Sequence, residues 1–232
     1  MARKPRFSPG KIAYHVMNRT WGRIDLFDDD GDYEAFERVL SEAVERETSM
    51  RVCAYCLMPN HFHLVLWPAK DGQLSRFMQW LTMTHTQRWH AHRHTGGRGH
   101  LYQSRFKSFP IQEDSHFLNV CRYVERNALR AKLVKTAERW RWSSLWQREN
   151  QSGPMKGKLT TWPVNRPRDW VERVNQAQDA RELAALRLSR DRGRPYGTAD
   201  WTERIARRLQ IESSLRPVGR PKKLKESEQK DP

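Results

Sequence analysis

The stretch Met50-Arg51-Val52-Cys53-Ala54-Tyr55-Cys56-Leu57-Met58-Pro59-Asn60-His61-Phe62-His63-Leu64-Val65-Leu66-Trp67 decides the fold. Met50 to Leu57 and His61 to Trp67 read as two strands, and Met58-Pro59-Asn60 between them holds the breaker residues of a turn. Side chains on a strand alternate between its faces. His61 and His63 therefore project from one face, while Phe62, Leu64 and Leu66 enter the other.

Working outward, Ile12 to Met17 is short, β-prone and bounded by Pro9-Gly10 and Asn18, which predicts a first strand. Asp28-Asp29-Asp30-Gly31-Asp32 supplies helix-starting chemistry, and Tyr33, Phe36, Val39, Leu40, Ala43 and Val44 then recur at helical spacing to about Glu47. Downstream, Leu74 to His92 reads as a second helix, Gly96-Gly97-Arg98-Gly99 as a loop, and Tyr102 to Ile111 as a fourth strand. Asp114-Ser115 opens a third helix whose apolar stripe is Phe117, Leu118, Cys121, Val124, Ala128 and Leu129. The order β-α-β-β-α-β, followed by a helix, is the α+β, ferredoxin-like (RRM-like) plan with an antiparallel sheet and helices on one face. We expect this domain to span residues 1–147. Residues 148–168 read as a linker or wrapping segment, 169–216 as a basic helical extension, and 217–232 as a basic tail without fixed structure unless bound.

The 232 residues include 43 Lys and Arg against 27 Asp and Glu, a net charge of +16. A polyanion is the expected partner, nucleic acid before an anionic membrane surface. No apolar run is long enough to span a bilayer, the basic N-terminus lacks a following apolar stretch, and three cysteines form no disulfide framework. These features predict a reduced, cytoplasmic protein. Between Gly72 and Gln112 there is no acid, while Arg76, Arg88, Arg93, Arg98, Arg105 and Lys107 alternate with Phe77, Trp80, Trp89, Tyr102, Phe106 and Phe109. Cations neutralise phosphates and aromatic faces stack on unpaired bases, so the mixture suits single-stranded nucleic acid. A solvated basic face with its aromatics turned inward would give the same composition.

Two imidazoles at i and i+2 on a strand can grip one divalent cation and leave positions open for a phosphate oxygen. Two hydrogen-bonded histidines would show the same spacing. Tyr123 and Asn127 lie at i and i+4 on a helix and share a face, so a nucleophile and a third ligand are available there. A phenol titrates near ~10, and Arg122 and Arg126 would help to stabilise its anion. A zinc site built on Cys53 and Cys56 is disfavoured, because strand positions three apart face opposite sides. His90, His92 and His94 read as exposed histidines at a helix end rather than a second metal cluster. Arg192-Gly193-Arg194-Pro195 and Val218-Gly219-Arg220-Pro221 share a Gly-Arg-Pro core that would suit extended minor-groove arms.

Four segments in order resemble the REP-associated tyrosine transposases of the single-tyrosine HUH superfamily of small bacterial insertion sequences. They are Tyr14-His15-Val16-Met17-Asn18-Arg19, Ala54 to Leu66, Tyr102-Gln103-Ser104-Arg105-Phe106-Lys107-Ser108, and Tyr123 to Val134 with Trp142-Ser143-Ser144 after it. The resemblance covers roughly residues 8 to 147. It implies that His61, His63 and Asn127 bind Mg2+ or Mn2+, and that Tyr123 attacks a DNA phosphodiester to give a 5′-phosphotyrosine. It implies single-stranded DNA with REP-like hairpins as partner, and a monomer or a homodimer. Arg19, Arg88, Arg98, Arg105, Lys107, Arg122, Arg126, Arg130, Arg194 and Arg220 are the expected DNA contacts. Ala128 stands where the family often has proline, which should leave the helix longer. The alternative is a catalytically silent, domesticated DNA-binding regulator on the same fold, and the presence of His61, His63, Tyr123 and Asn127 together speaks against it.

Overall fold

The computed structural model describes residues 7–97 and 99–216. The elements β1 (Ala13–Arg19), α1 (Asp30–Arg46), β2 (Met50–Met58), β3 (His61–Pro68), α2 (Gln73–His92), β4 (Lys107–Ile111) and α3 (Ser115–Glu125) follow one another. The four strands form one antiparallel sheet in the order β2-β3-β1-β4, the ferredoxin-like plan. The alternation on β3 divides the molecule. Phe62, Leu64 and Leu66 pack with Phe36, Leu40, Phe77 and Leu81 of α1 and α2. Val65 faces the other way and packs with Phe109 and with Phe117, Val120 and Val124 of α3. Each fully buried side chain of this size contributes about 1.5–3 kcal/mol. The two ferredoxin helices therefore cover one face, and the tyrosine-bearing helix covers the other.

Helix ends follow local chemistry. The Asp29 side chain accepts from the Asp32 backbone N–H at the start of α1, and Asp114 accepts from that of His116 at the start of α3. Arg93, at the end of α2, reaches Asp28 and Asp32 at the start of α1, which ties the two helices together.

Three expectations within the sheet and its helices change. The fourth strand begins at Lys107, not Tyr102. Tyr102 makes one isolated bridge to Thr20, and its hydroxyl is hydrogen-bonded to Nδ1 of His85 at 2.8 Å, which turns it towards α2. The third helix stops at Glu125. Arg126 interrupts it at φ −81°, ψ −5°, and a short α4 (Asn127–Arg130) follows, so Ala128 does not lengthen the helix. The Arg126 guanidinium donates to the carbonyls of Val174 and Asn175, which anchors the break. On β2 a register shift between Val52 and Ala54 makes Cys53 a bulged residue. Cys53 and Cys56 consequently enter the same apolar cluster, with Cys121, and all three are free thiols.

Residues 143–196 wrap mostly the α3 face. Ser143 caps α5 (Ser144–Asn150), a helix with no apolar run to announce it. Leu159 bridges to Val52, and Trp162 packs edge-on against Phe117 and Trp170. The helical extension expected from residue 169 begins as two helices, α6 (Trp170–Asn175) and α7 (Ala180–Arg192), because Gln176 is extended and Asp179 starts a new cap. After α7, Gly193 takes φ +69°, and Tyr196 pairs with Ile111 beside β4. The first Gly-Arg-Pro is thus folded against the sheet edge rather than a free arm. The second, with Arg220 and the basic tail, lies outside the described residues. α8 (Ala199–Leu209) then packs Ile205 and Leu209 into the α1–α2 side of the core. Among the described residues no helix is long and apolar enough to cross a membrane.

Candidate active site

Strand register assembles the site. Met17 lies opposite His63 and Arg19 opposite His61 on β1 and β3, so both histidines stand on the face that α3 covers. Their ring centroids are 5.0 Å apart. Tyr123 comes down from α3 with its ring centroid 5.8 Å from His63 and 6.2 Å from His15. The buried carboxyl of Glu125 pins the last turn of α3: Ser144 donates to it at 2.6 Å and Trp170 Nε1 at 2.7 Å. Burial pushes that carboxyl above the usual range, and the two donors oppose the rise.

Two arginines close the site. Arg130 lies over the Tyr123 ring, 4.3 Å from its centroid, and donates to Oδ1 of Asn127 at 2.8 Å. Arg190, from α7, donates to the Tyr123 hydroxyl at 3.3 Å. Tyr123 is only 2% exposed. Burial holds the imidazoles of His15 and His61 down at about 3 and about 4, and that of His63 well below the usual range. Arg190 adds to the effect at all three, and Arg130 at His61 and His63. Neutral imidazoles keep a lone pair for a cation.

The donor set fits a divalent ion. Nδ1 of His61 is 2.7 Å from Oδ1 of Asn60, and Nδ1 of His63 is 2.9 Å from Nε2 of His15. Nε2 of both histidines is left without a protein partner among the described residues. Asn127 is 4% exposed, and its Oδ1 retains a second lone pair beside the bond from Arg130. Among the described residues no three His, Cys, Asp or Glu side chains form a closed metal cage. A cation here would rest on two imidazoles and one carboxamide, with its remaining positions open to substrate oxygens. Buried donors without partners lie at the same place: Nδ2 of Asn127, Nη1 of Arg130 and Nε of Arg19. An unpaired buried donor costs about 1–3 kcal/mol, more when charged, and a phosphate oxygen would relieve it.

The remaining predicted contacts scatter. Arg88 forms a two-pronged ion pair with Glu42, and Arg76 lies 3.6 Å from Glu47, so acids on and just after α1 face the cations of the acid-free stretch. Arg122 donates to the carbonyls of Gln176 and Ala177, and Arg126 to those of Val174 and Asn175, so both dock the extension. Arg194 is half-buried beside Tyr196, and Arg98 lies outside the described residues. Arg105 and Lys107 are exposed. Arg105 lines an open groove of about 850 Å³ between α2 and the 99–106 loop, walled by Gln79, Thr82, Gln87 and Gln103 with Leu101 and Tyr102. Asn18, Gln103 and Ser104 also line a smaller cavity with Arg19, Lys107 and Arg190, the last of which donates to the Tyr123 hydroxyl.

A family model described as IS200-like transposase matches residues 9–127. The chain belongs to that family. Members are transposases, enzymes acting on DNA, and the match contains His15, His61, His63, Tyr123 and Asn127 while Arg130 and Arg190 lie beyond it. In fold the chain is similar to a REP-associated tyrosine transposase solved bound to a REP hairpin. That likeness has 16% identity over 77% of this chain and 93% of that one, with a TM-score of 0.53. A looser likeness links this transposase-family chain to a transposase candidate from Deinococcus radiodurans R1. There the identity is 18% over 57% of this chain and 92% of that one, and the TM-score of 0.37 is too low to argue from. Comparison with the curated proteins gave no match.

His15 and Arg190 were not legible as site residues. His15 needs the β1–β3 register to be placed beside His63, and Arg190 reaches Tyr123 across a separation of 67 residues.

Proposed function

We propose that the chain is a metal-dependent single-stranded DNA endonuclease and strand transferase that cuts beside hairpins through a 5′-phosphotyrosine. The observation that supports it is the meeting of Tyr123 with His63, Arg130 and Arg190 at 5.8, 4.3 and 3.3 Å. A tyrosine kept for packing needs neither a guanidinium on its hydroxyl nor two ligand-ready imidazoles beside it.

In the reaction, the Tyr123 oxygen attacks phosphorus. A Tyr–O–P bond forms, the P–O3′ bond breaks, and the phenolic proton is balanced by the one that the released 3′-hydroxyl acquires. Arg190 steadies charge on the tyrosine oxygen as it loses that proton, and Arg130 holds the ring against His63. The unpaired donors of Asn127, Arg130 and Arg19 receive the non-bridging oxygens. Mg2+ or Mn2+, held by Nε2 of His61 and His63 with Oδ1 of Asn127, would supply Lewis-acid polarisation of the phosphate. A 3′-hydroxyl returning to the phosphotyrosine rejoins DNA without ATP, since one ester replaces another. The groove beside Arg105 presents amide and hydroxyl groups over an apolar floor, which suits unpaired bases.

Single-stranded hairpin DNA from the sequence beside the gene, incubated with Mn2+ or Mg2+, tests the reading on a denaturing gel. A covalent adduct is expected with the wild type and none with Tyr123→Phe. Tight hairpin binding with no adduct under either metal would instead favour the silent regulator.

A further inference from the structure

His15 lies on β1, 1% exposed, and touches the candidate site through His63 and Tyr123. Its ring is stacked on Phe109, centroids 4.8 Å apart at 25°, which fixes its plane. Its Nε2 stands 2.9 Å from Nδ1 of His63, so one proton lies between the two rings. Which ring carries that proton decides whether His63 can ligate at all. With the proton on Nδ1 of His63, the Nε2 of that ring has a lone pair. With the proton on Nε2 of His15, the Nε2 of His63 is protonated instead and cannot bind a cation.

His61 shows what a settled case looks like. Its Nδ1 faces Oδ1 of Asn60 at 2.7 Å, and a carboxamide oxygen only accepts, so Nδ1 is the protonated atom and Nε2 is open. His63 has a histidine where His61 has a carboxamide. It reaches the same state only if His15 acts as the acceptor.

We propose that His15 is the positioning residue of the site: it accepts the Nδ1 proton of His63, fixes that ring, and leaves Nε2 of His63 open as a divalent-cation ligand. Such supporting partners commonly alter metal affinity 10–100-fold when removed, by fixing both tautomer and ring orientation. A neutral acceptor suits this place better than a carboxylate, whose charge would be buried between the strands and α3. The inference deepens the metal-site reading above and rests on it.

The test uses the full chain with 15N-labelled histidine, first without metal. Nitrogen–proton correlation spectra of the wild type should show His63 protonated at Nδ1. His15→Phe keeps a ring against Phe109 and removes the acceptor, so His63 should move to the Nε2-protonated form. His15→Gln restores an acceptor and should return the signal. Mn2+ titration without DNA, followed by electron paramagnetic resonance, should show about 10–100-fold weaker binding by His15→Phe and near-native binding by His15→Gln. A wild-type His63 protonated at Nε2 overturns the proposal, and so does unchanged Mn2+ affinity in His15→Phe. If the wild type binds no Mn2+ while His63 is protonated at Nδ1, the metal reading fails and the tautomer comparison still decides the role of His15. The wild-type spectrum alone bears on the proposal should His15→Phe not fold.

Discussion

Under α1 and α2 the sheet carries Phe62, Leu64 and Leu66, met by Phe36 and Phe77, whereas under α3 it carries His15, His63 and Phe109, met by Tyr123 and Cys121. Both surfaces are buried. One is closed by two helices of 17 and 20 residues, the other by an 11-residue helix and the irregular wrap that follows it. An apolar surface is largely indifferent to which apolar partner fills it as long as volume is kept. A surface bearing imidazoles and a phenol requires specific donors at specific atoms, and Arg130, Arg190, Asn60 and His15 supply them. On this account α1 and α2 supply most of the stability, and α3 with the extension supplies the chemistry.

The contrast can be broken first at Phe62, which lies between the two candidate ligands in sequence and points away from them. Phe62→Ala should cost about 3–5 kcal/mol in denaturant unfolding, because the cavity opens in the closely packed side. A cost below ~1 kcal/mol would show that this side is not the main source of stability.

A smaller effect, on the other face, tests whether the extension belongs to the site. Arg190→Gln removes a hydrogen bond of a charged donor, of the class worth about 1.5–3 kcal/mol, so adduct formation should slow ~10–100-fold in single-turnover assays. Unfolding should move little, since Arg190 is partly exposed and its ion pair is with the neighbouring Asp191. A faster reaction would make α7 a cover over Tyr123 rather than a contributor.

His85 sharpens the comparison from the α2 side, away from the candidate metal ligands. Burial holds its imidazole down at about 3, with Asp32 opposing, while an unfolded histidine titrates near ~6.5. Below that pH the unfolded chain binds a proton that the folded chain refuses. The stability contributed by neutral His85 is therefore present above ~6.5 and is lost as pH falls towards 3. His85→Phe cannot show this loss. The stability difference between wild type and variant should shift by about 2 kcal/mol in favour of the variant from pH 7 to pH 5, read by urea unfolding. A pH-independent difference would mean that His85 is already charged when folded.

The same contrast explains what the sequence disclosed. Tyr33, Phe36, Val39 and Leu40 recur at helical spacing because α1 has one wet and one dry side, so its bounds are readable to within a residue or two. His61 and His63 are readable because strand alternation is a local rule. Tyr102 misled the reading of the fourth strand, since its β-prone side chain is directed by a hydrogen bond to His85 on α2. Arg122 and Arg126 looked like cations aimed at a phenolate, but their carbonyl partners lie 48 to 55 residues onward. A basic composition reports that cations are present, not which of them already have acceptors. The bulge at Cys53 likewise altered which side chains share a face, and one residue of slip is invisible to a count of alternation.

The most direct test of the central claim is to identify which fragment of a cut hairpin strand stays attached, and to which residue. Substrate labelled at its 3′ end or at its 5′ end would be reacted with Mn2+, and the adduct digested and sequenced by mass spectrometry. The account predicts that the fragment bearing the 3′ label is retained, through a 5′-phosphate on Tyr123, and that the other fragment ends in a free 3′-hydroxyl. Retention of the 5′-labelled fragment, or attachment at any residue other than Tyr123, would contradict it.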